Sequence, residues 1–225
     1  MNDLKHLAII MDGNGRWAER QEKRRSTGHE QGAKNVRIIT EYCAKIGVEY
    51  LTLYAFSTEN WKRPKTEIEF LMKLLDKFLK KELKTFLQND IKFDVIGDIK
   101  KFSNSLQKTI LSIKDKTSTC KGMTQILAIN YGSRDEITRA VNRAIKDGKM
   151  LKEKDIDKLL DTSNFPDVDL LIRTGGDQRL SNFLLWQSAY AELFFTATLW
   201  PDFSTGELET ILSKYRRTSR RFGAL

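Results

Sequence analysis

The stretch "HLAIIMDGNGRW", His6–Trp17, runs an apolar segment straight into an acid, two closely spaced glycines and an arginine. A short apolar, β-branched run that stops at a glycine turn reads as a buried strand ending at a tight loop. Working outward, similar runs occur at "YLTLYAF" (50–56), "FDVIG" (93–97), "TQILAIN" (124–130), "VDLLIR" (168–173) and "ELFFT" (192–196). Helical patterns fall between them, at 31–46, 67–88, 103–117, 134–147, 153–161, 181–189 and 205–219. Strands separated by helices form βαβ units, whose crossovers cover both faces of a parallel sheet. The fold class is therefore α/β: one domain over residues 1–225, with a central parallel sheet of about six strands flanked by helices. No internal repeat, low-complexity tract or linker divides the chain.

Composition narrows the partners. With 225 residues, 40% of them hydrophobic, and twelve Phe and four Trp, the chain is long and apolar enough to bury a core, which excludes disorder. Its apolar runs, such as Leu7–Met11, are far shorter than the ~20 residues that span a bilayer, and no secretory pattern opens the chain, so a cytoplasmic location is expected. Two cysteines, Cys43 and Cys120, make no disulfide framework. A net charge of +9 points to an anionic partner, and nucleic acid, a membrane surface and phosphorylated metabolites all qualify.

The segment 67–88 is apolar over an unusually wide arc. Ile68, Leu71, Met72, Leu75, Leu79, Leu83 and Phe86 share one face at 100° per residue, and Leu74, Phe78 and Leu87 widen it. Such a helix touches a sheet and something more, either a neighbouring helix or an apolar ligand cavity. Lysines 73, 77, 80, 81 and 84 fill the remaining arc and read as a solvated face.

Gly13–Ala18 fits the loose dinucleotide fingerprint G-x-G-x-x-G/A, but the acid expected about 20 residues later, at the end of a second strand, is missing. Asp12 is more informative. A carboxylate beside a phosphate repels it unless a divalent cation lies between, so Asp12 suits Mg²⁺ bridging a diphosphate, with backbone N–H groups and Arg16 taking other oxygens. The competing reading is an ordinary Asp-Gly turn. Two further strand ends adjust the balance. "TLYAFSTENWKRP" (52–64) closes on an aromatic and two cations, and "VDLLIRTGGDQRLSNF" (168–183) sets Arg173 and Arg179 around Gly175-Gly176, with the Ser181 hydroxyl close behind. Arginine grips phosphate oxygens in a bidentate fork and glycine lets backbone approach closely. In a parallel sheet all three strand ends meet at one edge, where they could hold two diphosphates.

"HLAIIMDGNGRWA", "GHEQG", "LTLYAFSTENWKRP" and "DLLIRTGGDQRLSNFLLWQSAYAELFF…LWPDF" together resemble the signature segments of the cis-prenyltransferases of the bacterial undecaprenyl diphosphate synthase type, in order and spacing from Leu7 to Phe222. The resemblance implies Z-selective elongation of farnesyl diphosphate by isopentenyl diphosphate to a long polyprenyl (undecaprenyl) diphosphate that carries cell-wall precursors. It implies a homodimer with Mg²⁺ as cofactor, a hydrophobic tunnel walled by 67–88, and a product handed to the inner face of the membrane. Carried over residue by residue, Asp12 and Asn60 are the catalytic residues, with Asp12 on the metal. Gly13, Asn14, Gly15, Arg16, Arg25 and His29 cradle the allylic diphosphate. Trp17, Phe56, Ser57, Asn60, Trp61, Arg63 and then Glu67 match the segment that positions the reacting chain ends. Arg173, Arg179 and Ser181 bind isopentenyl diphosphate, Glu192 gives a second metal contact, and Arg221 and Gly223 match a tail that reaches the partner subunit's site. Asp177 stands where many relatives carry Glu. The DDxxD motif of trans-type synthases is absent. A non-catalytic subunit of the same family would have lost the aspartate or the arginines, and all are present; a nucleic-acid binder is suggested by charge alone.

Overall fold

In a computed structural model that describes residues 4–218, β1 (His6–Ile10) is buried along its whole length. Its side chains alternate between two cores: Leu7 and Ile9 enter one, Ala8 and Ile10 the other, as the two-residue period of a strand requires. The remaining strands are β2 (Tyr50–Ser57), β3 (Lys92–Ile96), β4 (Thr124–Tyr131), β5 (Leu170–Arg173) and β6 (Glu192–Phe195). They form one six-stranded sheet in the order β3-β4-β2-β1-β5-β6, with every pairing parallel. All six expected strands are present within a residue or two at their ends.

The helices are α1 (Asn14–Arg20), α2 (Arg25–Lys45), α3 (Lys65–Gln88), α4 (Asn104–Lys116), α5 (Ser133–Lys146), α6 (Glu153–Leu159) and α7 (Thr205–Arg217). The larger core joins one sheet face to Val36 and Ile39 of α2, Leu79 and Phe86 of α3, Leu106 and Ile110 of α4, and Leu208 and Leu212 of α7. The smaller core lies on the opposite face beneath Phe183 and Leu184. None of these helices is long and apolar enough to cross a membrane.

Three differences from the sequence reading have local causes. Segment 181–189, expected as a helix, is a run of turns, because Ser181, Asn182 and Leu184 take positive φ of 50°, 62° and 44° and so leave the right-handed helical region. Its apolar spacing serves another purpose: Phe183 stacks on Tyr54 of β2 with ring centroids 4.3 Å apart. Helix α1 carries no apolar stripe that would announce it, and α2 begins six residues before the expected start at 31, hidden by Gly28 and Gly32 in its first half. Those glycines let the two helices touch, since a Cβ at Gly28 would stand 1.9 Å from the Asn14 carbonyl oxygen.

Strand β2 slips register against β4 between Tyr54 and Phe56. The extra residue turns Phe56, rather than Ala55, onto the face that Leu51 and Leu53 share. This bulge sits beside the site.

Candidate active site

At the switch point of the sheet β1 lies between β2 and β5, so the loops after these three strands meet at one edge. Their side chains border a cavity of about 400 Å³. Asp12 lines it from the loop after β1, Asn14 from α1 and His29 from α2; Phe56 and Ser57 from the end of β2, Asn60 and Arg63 from the turn beyond it; Arg173 from the end of β5, Arg179 and Ser181 from the loop after it. The opposite wall is hydrocarbon: Leu71, Met72, Leu74, Leu75 and Phe78 of α3. The wide apolar arc of α3 is thus divided by position. Its first half lines the cavity, while Leu79 and Phe86 farther along are buried in the core.

Arg173 organises the polar end. Only 4% of its side chain is exposed, and it donates to Asp12 Oδ2 at 2.8 Å, to Ser181 Oγ at 2.6 Å and to the Arg179 carbonyl at 2.6 Å. Arg16 lies 3.2 Å from Asp12 Oδ1 and donates to the Gly175 carbonyl at 2.6 Å. Burial would push the Asp12 carboxyl upward, but the hydrogen bond from Arg173 and the charges of Arg16 and Arg173 outweigh it and hold Asp12 below the ordinary carboxylate value. Asp177 accepts from Arg179 at 2.9 Å and lies 3.5 Å from Arg173 and 3.7 Å from Arg16. One carboxylate therefore centres three guanidiniums, an arrangement suited to an anion with several oxygens.

The loop after β1 turns on Gly13, at φ 110°, where a Cβ would also stand 2.8 Å from Leu199 Cδ2. No side chain caps α1, which begins at Asn14 on the cavity wall. On the β2 side, the Asn60 carboxamide accepts the Ser57 N–H at 3.0 Å. Trp61 stands behind, edge-on to Phe56, and donates to Asn130 Oδ1 at 2.7 Å. His29 Nε2 lies 3.5 Å from Glu67 Oε1, which also pairs with Arg63 at 3.1 Å. Burial first, and then the Arg63 charge, lower the His29 pKa against the pull of Glu67, so the imidazole is neutral near pH 7.

Not every expected residue reaches this cavity. Trp17 faces away, donating to Asp202 Oδ1 at 2.7 Å with Lys23 over its ring. Arg25 covers Gly15 and pairs with Glu19 at 2.6 Å on the exposed side. Gly15 is buried under that guanidinium. Glu192 opens β6 opposite Leu170, three residues before Arg173 on the neighbouring strand. By strand rise this is roughly 10 Å from the strand ends, so Glu192 does not join Asp12 within the chain. Arg221 and Gly223 lie outside the described residues. Conversely, Thr174, Tyr54 and Trp200 belong to the site region without having been singled out as site residues. Tyr54 and Trp200 sit in segments whose apolar or aromatic character reads as core, and Thr174 shows its role only through backbone bonds.

A family profile described as "Putative undecaprenyl diphosphate synthase" matches residues 10–223. The isoprenyl transferase of Wolinella succinogenes is 56% identical over 225 residues, covering 100% of this chain and 99% of its own. That of Helicobacter pylori (strain ATCC 700392 / 26695) is 54% identical, covering 100% and 98%. Among solved structures, a probable undecaprenyl diphosphate synthase from Campylobacter jejuni superimposes with a TM-score of 0.85 at 41% identity, over 99% of this chain and 100% of that one. Lavandulyl diphosphate synthase from Lavandula x intermedia, in complex with dimethylallyl diphosphate, gives 0.94 at 36% identity over 98% of each chain. With a charged edge, a greasy wall and near-complete coverage by these relatives, the chain belongs to the undecaprenyl diphosphate synthase family of isoprenyl transferases.

Proposed function

We propose that the protein extends farnesyl diphosphate with successive isopentenyl diphosphates to a long polyprenyl diphosphate of the undecaprenyl type, forming Z double bonds. One observation carries this reading: the Asp12–Arg173 pair and its neighbouring arginines stand at one end of a cavity whose far wall is the apolar face of α3. A diphosphate fits the charged end and a hydrocarbon chain fits the wall. The neighbour bound to dimethylallyl diphosphate supports an allylic diphosphate as the ligand class.

In each cycle the C–O bond of the allylic diphosphate breaks, a C–C bond forms to the isopentenyl double bond, and one proton leaves. Arg16 and the α1 N-terminus receive the allylic diphosphate, while Arg173, Arg179 and Ser181 receive the isopentenyl diphosphate. Asn60 and Phe56 align the reacting ends between them. The walls of α3 keep water from the electron-poor allyl carbon. Mg²⁺ is proposed to arrive with the diphosphate. Ionised Asp12 fits it, because this ion takes one or two carboxylates together with substrate phosphates. When bound, the ion would neutralise charge on the departing diphosphate.

A homodimer is part of the proposal, supported by the edge strand β6, which exposes Leu193 beside Tyr190. The chain would work in the cytoplasm and release its product, a cell-wall carrier lipid precursor, to the inner face of the membrane. Intact Asp12, Arg16, Arg173 and Arg179 favour an active enzyme over a non-catalytic subunit. Incubation with farnesyl diphosphate, labelled isopentenyl diphosphate and Mg²⁺, followed by sizing of the products, tests the reading. A ladder of lengthening polyprenyl diphosphates is expected, and no incorporation would overturn it.

A further inference from the structure

Asn182 follows Ser181, whose hydroxyl accepts from Arg173, yet the proposed reaction gives Asn182 no part. It is held on every polar atom of its side chain and on its carbonyl. Its Oδ1 accepts the Arg134 N–H at 2.9 Å, its Nδ2 donates to Glu59 Oε1 at 2.9 Å, and its carbonyl accepts the Ser133 N–H at 2.8 Å. These partners come from the first turn of α5, just beyond β4, and from the turn after β2, so one residue ties three strand ends together. The fit is close: a Cβ at Gly132 would stand 2.7 Å from Asn182 Nδ2 and 2.6 Å from Thr58 Oγ1. Asn182 also holds φ at 62° between two other non-glycine residues of positive φ, Ser181 and Leu184. A strained run persists only where its surroundings fix it, and Asn tolerates this conformation better than most residues.

Glu59 precedes Asn60 and Trp61 in the 3₁₀ turn after β2. Its contact with Asn182 is therefore a direct link between the turn proposed to align the allylic chain and the loop proposed to hold isopentenyl diphosphate. We propose that Asn182 and Glu59 form a latch that sets the position of Ser181 relative to Asn60, making both positioning residues for the isopentenyl half of the site. The inference rests on the proposed function for the identity of that substrate. Its removal should weaken isopentenyl diphosphate selectively, because among the described residues neither Asn182 nor Glu59 bonds directly to α1 or His29.

The test exchanges donor and acceptor. Asn182→Asp sets one carboxylate against another, and adding Glu59→Gln restores a donor–acceptor pair. The single variant should raise KM for isopentenyl diphosphate by about tenfold or more while KM for farnesyl diphosphate stays within about twofold, and the double variant should recover most of the loss. Asn182→Gly keeps the left-handed backbone without the side chain and should show the same selective rise. Equal KM values in wild type and single variants, or a double variant no better than the single, would overturn the latch. Wild-type binding of isopentenyl diphosphate, measured by calorimetry, separates the two levels. If wild type binds it and the variants match, the latch alone fails; if wild type does not bind it, the functional reading and the latch fail together.

Discussion

Thr174 is joined to Asp12 twice through a single hydroxyl, accepting the Asp12 N–H at 3.0 Å and donating to the Asp12 carbonyl at 2.8 Å. Thr174 is fully buried and follows Arg173, so the strand that supplies the arginine also clamps the backbone of the acid it pairs with. Thr174→Val keeps shape and volume but removes the hydroxyl from the Asp12 peptide, whose N–H keeps the Ile10 carbonyl and whose carbonyl keeps the Trp200 N–H, so the cost should stay near the ~1 kcal/mol of a lost hydrogen bond. We expect a fall in kcat that Thr174→Ser largely restores. A valine variant with full kcat would show that the clamp serves stability alone.

Asp12→Ala removes the acid between two guanidiniums. Arg173 keeps Ser181, the Arg179 carbonyl and Asp177 as partners, so the stability loss should stay below the ~3–5 kcal/mol typical of a severed buried ion pair. Turnover should fall by at least about 100-fold with circular dichroism unchanged, since a group acting on a departing diphosphate is worth several kcal/mol. Steady-state kinetics at saturating Mg²⁺ checks this.

Leu75 lines the cavity from α3, and shortening it to Ala widens the apolar wall. The stability cost should be at the low end of the ~2–5 kcal/mol for such truncations, because Leu75 is only partly buried. Product sizing should reveal a changed chain-length distribution. Leu79→Ala, in the closed core one turn along, should cost more stability and change product length less.

Both histidines are held below their ordinary value of 6.5, His6 chiefly by burial and His29 by burial and then the Arg63 charge. A depressed folded pKa means the unfolded chain binds more protons in this range. Stability is therefore full above 6.5 and declines as pH falls through 6.5 toward the folded values, with a slope of up to about 1.4 kcal/mol per pH unit for each histidine. His29→Gln should flatten part of that slope in denaturant titrations at a series of pH values, and an unchanged slope would contradict the assignment.

How much of this could be read beforehand follows from where the signal lies. The strands announced themselves because a strand buried on both faces favours a mainly apolar run, as in Leu7–Ile10 of β1 and Ile126–Ile129 of β4, and their parallel order brought Asp12, Asn60 and Arg173 to one edge. The wide arc of α3 allowed a cavity or a neighbour helix, and the fold supplies both. Segment 181–189 misled because its apolar residues pack under a strained turn rather than around a helix axis. Trp17 and Arg25 sit close in sequence to the cavity-lining Asn14 and His29, yet helix geometry turns them outward. Contacts such as Glu59 with Asn182, 123 residues apart, leave no local pattern at all.

The account centres on two diphosphates flanking Asp12 at the strand ends. A crystal structure with an unreactive thio analogue of farnesyl diphosphate, isopentenyl diphosphate and Mg²⁺ tests it most directly. It should place the isopentenyl diphosphate on Arg173, Arg179 and Ser181, the allylic diphosphate on Arg16 and the start of α1, and the hydrocarbon chain along Leu71, Leu75 and Phe78. Diphosphates bound away from Asp12 and Arg173, or a chain lying outside the α3 wall, would contradict it.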